Sequence, residues 1–383
     1  AGSQVPKRVV DAVQRSMLHT NANEGGYFAT SLENDALFAE AGDTFAAFFG
    51  AEAREEIVFG PNMTSLTFRF SRALGETWRA GDEIIVTGLE HDANYSPWVQ
   101  AAERAGATVR RVPVRPGDCT LDMEVFAKLL NNKTRLVAVG KASNATGTIN
   151  PVAQMSAMAH EVGALVYVDA VHYGPHGPFD VSAWGADFVV ASAYKFFGPH
   201  VGVLWGRREL LETLPAHKVR PAYDQTPDRW MSGTANFEGI AGAAEGVRYL
   251  ADLSPDQEGD LRTRVLAGYA EIQRYERSLT EYFLGHLAAR DRLHLWGISA
   301  LNALASRVPT FSLTHPEVSP KDLVKGLADA GIFAWSGNHY AVPFTESVGL
   351  TEEGTLRIGL LHYNTTQEID RCFAVLDTLC RTR

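Results

Sequence analysis

Cysteine is scarce in this 383-residue chain: only Cys119, Cys372 and Cys380 occur. So few and so scattered, they exclude a disulfide framework or a zinc ribbon and fit a reducing cytoplasm. No apolar run approaches the roughly 18 residues that span a bilayer. The opening residues, Ala1 to Lys7, lack the basic-then-apolar layout of a signal peptide, and no initiator Met precedes them. Positive charge is also in deficit. With 35 Lys and Arg against 45 Asp and Glu, the net charge is −10, which would repel nucleic-acid phosphates. His160-Glu161 is no zincin motif, because Ala164 stands where the second histidine is needed. Gly174-Pro175 breaks any helix that would align His172 and His176 as ligands. Metal, membrane and nucleic acid are therefore not expected, and neither repeats nor low-complexity linkers interrupt the chain.

What remains is ordinary globular composition, 45% hydrophobic and 21% charged. The length exceeds the roughly 250–300 residues at which one core stops growing, so a large α/β part and a smaller partner are expected. Helical spacing marks residues 6–17, and Ser31 or Asn34 is placed to cap a helix running to Phe49. Strand and helix then alternate. Strands are expected at 57–59, 83–86, 108–114, 135–139, 164–168, 187–191 and 201–205, with helices at 64–77, 98–104, 123–130 and 152–161. Near-continuous Val/Ile/Leu strands in this rhythm predict a mostly parallel sheet covered on both faces. Beyond Asp252 a long helix (257–290), strands at 307–313, 332–335 and 355–359, and a closing helix from Gln367 predict a smaller α+β part.

In open α/β sheets ligands bind beyond the carboxyl ends of the strands. Five successive strand ends carry polar groups: Asn62 to Ser65, Glu90-His91, Ser143-Asn144, Asp169 to His172, and Ser192 to Lys195. Asp169 and Lys195 end adjacent strands. Their pairing suits pyridoxal 5′-phosphate (PLP): a lysine amine can hold the aldehyde as a Schiff base, and a carboxylate can keep the pyridine nitrogen protonated. Gly60 to Ser65, between strand and helix, offers backbone donors and the Thr64 hydroxyl to a phosphate, without the Gly-Lys-Ser/Thr ending of a P-loop.

Ordered motifs run through the whole chain: Glu90-His91-Asp92-Ala93-Asn94 with Pro97-Trp98, Ser143 to Thr148, Val168 to His172, Ser192 to Pro199, Gly233-Thr234, Arg357 and Tyr363-Asn364-Thr365. In this series the chain resembles the class V aminotransferases of PLP fold type I, and within them the cysteine desulfurase-like group. The resemblance implies a seven-stranded, mostly parallel sheet. It also implies an N-terminal segment (1–20) packed with the small domain, a PLP-binding domain (21–252) and a C-terminal domain (253–383). It assigns Lys195 to the Schiff base and the α-proton, Asp169 to the pyridine nitrogen and His91 to the ring face. Asn144 and His172 would contact the phenolic oxygen. Met63 by its backbone, Thr64, Ser192 and Tyr194 would hold the phosphate, and Thr234 would reach the phosphate of the neighbouring subunit in a homodimer. Arg357 would clamp the substrate carboxylate. His172 and Tyr194 replace the glutamine and histidine usual at these places. A substrate-contacting turn is implied near the start, with Gly2-Ser3-Gln4 as its remnant.

The resemblance breaks at Ser336 to Pro343. A desulfurase carries a persulfide cysteine here, and Tyr340 stands in its place; a phenol does not accept sulfur as a thiolate does. The expectation is a cytoplasmic PLP enzyme acting on a small α-amino acid by β-elimination or C–S cleavage. Asn338, His339, Tyr340 and Tyr27 are expected at the substrate mouth. Transamination, epimerisation, retro-aldol cleavage and a non-catalytic PLP-fold binding module are the alternatives.

Overall fold

A computed structural model describes residues 3–381. Its large sheet has seven strands: β1 (Ile57–Gly60), β2 (Glu83–Thr87), β3 (Thr108–Val112), β6 (Thr134–Gly140), β7 (Leu165–Asp169), β8 (Phe188–Ser192) and β9 (Gly202–Gly206). Two short strands, β4 (Val114–Arg115) and β5 (Thr120–Leu121), form a separate hairpin, so the strand expected over 108–114 breaks at Pro113. The sheet order is β1-β9-β8-β7-β6-β2-β3, parallel except that β9 runs against both neighbours.

The strands are apolar at successive positions because both faces are covered. Val137, Val139, Val166 and Val168 point into one core with Phe45 and Phe48 of the helix Ala29–Phe49. Leu136, Ala138 and Tyr167 point into the other, against Phe70 and Trp98. A third core gathers Phe283, Phe311, Leu356 and Phe373 around a four-stranded sheet. Its order is β10 (His294–Trp296), β11 (Thr310–Thr314), β13 (Thr355–Gly359), β12 (Trp335–Gly337). The helix Leu261–Ala288 joins the cores, with Val265 and Tyr269 in the first and Leu279 and Phe283 in the third.

Several local expectations shift. The helix expected to be capped by Ser31 or Asn34 begins earlier, at Ala29. Ser31 Oγ instead closes the preceding turn, accepting from Gly26 N–H and donating to Asn23 O, while Asn34 donates to Ala22 O. The strand expected at 332–335 lies at Trp335–Gly337, where β13 supplies its partners. The N-terminal segment, whose helix is Lys7–His19, touches both parts. It lies along Phe237–Ala251, where Arg8 pairs with Glu245 at 2.9 Å and with Asp252, and a Gln4 N–H to Tyr363 hydroxyl bond links it to the C-terminal part. Phe237–Ala251 had no expected counterpart. Its glycines disfavour helix in isolation, yet they permit contact: a Cβ at Gly246 would meet Phe196 O at 3.2 Å.

Candidate active site

The carboxyl ends of β1, β2, β6, β7 and β8 converge on one cavity of about 800 Å³. Met63, Thr64, His91, Asn144, Asp169 and His172 line it from the large sheet, joined there by Ser192, Tyr194 and Lys195. The C-terminal part contributes Asn338, His339, Tyr340 and Arg357. Two expected residues lie apart. Tyr27 is 99% exposed and Thr234 is exposed, and neither is among the lining residues. Gly2 is outside the described residues. Ser3 Oγ donates to Tyr194 O and accepts from Phe197 N–H at 2.7 Å, bracketing the turn that carries Lys195.

The floor forms where Asn62 caps the helix Met63–Gly75, its side chain accepting from Ser65 N–H. Gly202 is required beneath it: a Cβ there would lie 2.4 Å from the Asn62 carbonyl carbon. The Met63 N–H points at Ser192 Oγ, 3.0 Å away, which leaves Thr64 and the helix N-terminus to face the cavity.

Burial sets the electrostatics. Asp169 accepts from Val171 N–H at 2.9 Å; burial lifts its carboxyl to about 6, against the pull of that bond and of Lys195. Burial, then the Arg357 cation, lowers the Lys195 amine to about 8, opposed by Asp169. Burial lowers Arg357 to about 10. No ion-pair partner for it is found among the described residues; its guanidinium donates to Asn144 O at 2.9 Å.

Burial presses His91 to about 4, so the ring is neutral near pH 7. Its Nδ1 accepts from Ala93 N–H, leaving the proton on Nε2. His91 stacks on Tyr340, centroids 5.5 Å apart at 15°. His172, held well below its usual pKa by burial, lies 2.9 Å from Thr310 Oγ1.

The residues at the break in the resemblance form a fixed turn. His339 and Tyr340 both have left-handed backbone, φ 55° and 57°. Asn144 Nδ2 donates to His339 O at 2.8 Å, Asp92 N–H to Tyr340 O at 2.7 Å, and Tyr340 N–H to Asn338 Oδ1 at 3.0 Å. His339 Nε2 sits 3.1 Å from Thr355. Sequence reasoning did not find Trp335, His200 or Glu352, which also line the cavity. His200 stacks on Tyr194 at 5.1 Å. The only signal for Trp335 was an aromatic residue at the end of the strand expected over 332–335, a pattern with many causes.

These residues fit PLP. A buried carboxylate at the end of the strand suits a protonated ring nitrogen. Asn144 Oδ1 is buried at the cavity without a hydrogen-bond partner, where a ligand hydroxyl could satisfy it.

The fold and this cavity together define a PLP-dependent enzyme of fold type I. The aminotransferase class V family model matches residues 1–372, and the chain belongs to that family, whose members use PLP. Within it the chain is cysteine desulfurase-like. It is 32% identical to a cysteine desulfurase of Klebsiella pneumoniae over 99% of this chain and 91% of that one. It is 31% identical to the aminotransferase-like protein FGM3 of Gibberella zeae, over 98% and 92%. The cysteine desulfurase of Thermococcus onnurineus NA1 superposes with a TM-score of 0.90 at 28% identity, covering 100% of this chain and 93% of that one. Among the described residues no helix is long and apolar enough to cross a membrane.

Proposed function

We propose that the protein is a homodimeric, cytoplasmic lyase that eliminates a sulfur substituent from Cβ of a small α-amino acid, releasing sulfide or a thiol without an enzyme persulfide. One observation carries this reading: no cysteine lines the cavity among the described residues, and Tyr340 occupies the turn where the sulfur acceptor is expected. Cys119 and Cys372 are buried, and burial pushes each thiol up to about 12, far from a nucleophilic thiolate. The relatives named cysteine desulfurase support a small sulfur-containing substrate.

PLP, when bound, supplies an electron sink for charge at Cα. Lys195 would anchor it and carry the α-proton; its lowered pKa leaves part of the amine unprotonated near neutrality. Asp169 would hold the ring-nitrogen proton. Thr64, Ser192 and the helix N-terminus would take the phosphate, and Asn144 and His172 the phenolic oxygen. Arg357 would take the substrate carboxylate by a bidentate pair. His91, neutral with its proton on Nε2, would donate a hydrogen bond to the departing sulfur, whose own proton comes from solvent or from Lys195. The exposed Thr234 would complete the partner's phosphate site. Residues 21–252 would form the cofactor-binding domain and 253–383 the second domain.

The test is reconstitution with PLP followed by cysteine without any oxo acid. A visible cofactor band absent in Lys195→Ala, then pyruvate, ammonia and sulfide in equal amounts, is the expected result. Turnover that depends on an oxo acid would replace elimination with transamination.

A further inference from the structure

We propose that the substrate is a cysteine S-conjugate, an α-amino acid whose β-sulfur carries a bulky planar group, and that Trp335 and Tyr340 select it at the cavity mouth. This rests on the elimination reading above and adds the identity of the leaving group.

Three observations lead there. In register, Trp335 is the direct cross-strand partner of Arg357, so both side chains stand on the same face of the edge pair β12–β13. A carboxylate held by Arg357 therefore has Trp335 beside it. Trp335 is 59% exposed and Tyr340 71% exposed although both line the cavity, so each offers ring surface that the core does not use. The backbone that carries Tyr340 is also fixed in place. Its turn holds two consecutive left-handed residues tied by the bonds from Asn144, Asp92 and to Asn338. Strain of this kind persists where surrounding structure enforces it. Gly354 allows the turn's approach, because a Cβ there would lie 2.0 Å from the Gly337 carbonyl carbon.

Stacked on each other, His91 and Tyr340 both line the cavity, a pair of rings that a planar substituent can extend. The cavity, about 800 Å³, has to take both PLP and the substrate, and falls within the roughly 300–1,000 Å³ range of ligand sites. The reaction consumes one water: the Cα–H and Cβ–S bonds break, the thiolate leaves with the bonding pair and takes up a proton, and the three-carbon remainder is hydrolysed to pyruvate and ammonium. No oxidant is needed, and no sulfur remains on the protein.

S-phenyl-L-cysteine and L-cysteine are compared on the PLP-loaded protein by kcat/KM, and by calorimetric affinity on the PLP-loaded Lys195→Ala variant. S-phenyl-L-cysteine is expected to be preferred in both. Trp335→Ala and Tyr340→Ala should each reduce that preference roughly 3- to 10-fold, the range for one aromatic contact. Equal affinities for the two compounds, or a preference unchanged in both variants, would overturn the proposal. Selective binding of S-phenyl-L-cysteine without release of thiophenol would support the ligand class while removing the elimination reading.

Discussion

The Lys195 amine offers a direct check on the electrostatics of the cavity. An ordinary lysine titrates near 10.5 and Lys195 near 8, lowered by burial first and by Arg357 second. At pH 7 that raises the unprotonated fraction roughly 300-fold over an ordinary lysine, from about 0.03% to about 9%. Arg357→Gln removes a cation and should move the midpoint up; Asp169→Asn removes an anion and should move it further down. The assay is trace trinitrophenylation of the PLP-free protein across pH 6–11, read peptide by peptide by mass spectrometry. Lys141 is the internal control. Burial lowers it to about 8 as well, but it sits between the rings of Tyr173 and Trp184, 5.5 and 5.1 Å from their centroids. Its midpoint should stay put in both variants. A Lys195 midpoint above 10, or variants that shift Lys195 and Lys141 alike, would refute the argument.

Cys380 should alkylate in the folded protein well before the buried Cys119 and Cys372; comparable rates at all three, followed by iodoacetamide mapping, would contradict the burial. Phe283→Ala removes a ring stacked on Phe311 at 3.9 Å and should cost about 3–5 kcal/mol, seen as a lower urea midpoint for the C-terminal part. Gly202→Ala pushes a methyl into the turn at Asn62. PLP retention, measured by equilibrium dialysis, should fall roughly 10- to 100-fold; retention equal to the native protein would show that the turn can yield.

Much of the α/β part was legible because period and composition carry it. The helix Val152–Glu161 and the strand Thr355–Gly359 fall where their patterns indicate. Asp169 and Lys195 were nominated by the rule that parallel strands deliver their carboxyl ends to one side, a local inference needing only strand order. The chemistry of PLP then followed from residue types. Tyr340 in place of a cysteine was visible only against the motif of the family that the chain resembles.

Other features depended on partners distant in sequence. The glycine-rich helix Phe237–Ala251 looks like a loop until Phe196, Gly198 and Pro199 close on its small faces. The edge strand Trp335–Gly337 takes its limits from β13, so its own composition places it three residues early. The path of Lys7–His19 is set by Glu245 and Asp252, more than two hundred residues away. The sequence by itself determined the sheet and its strand-end chemistry, because these follow from local pattern and residue identity. Tertiary structure alone decided the fixed left-handed turn at Tyr340, the pairing of Trp335 with Arg357 and the lowered pKa of Lys195. Each of these arises from burial and contact between segments that nothing local in the chain connects.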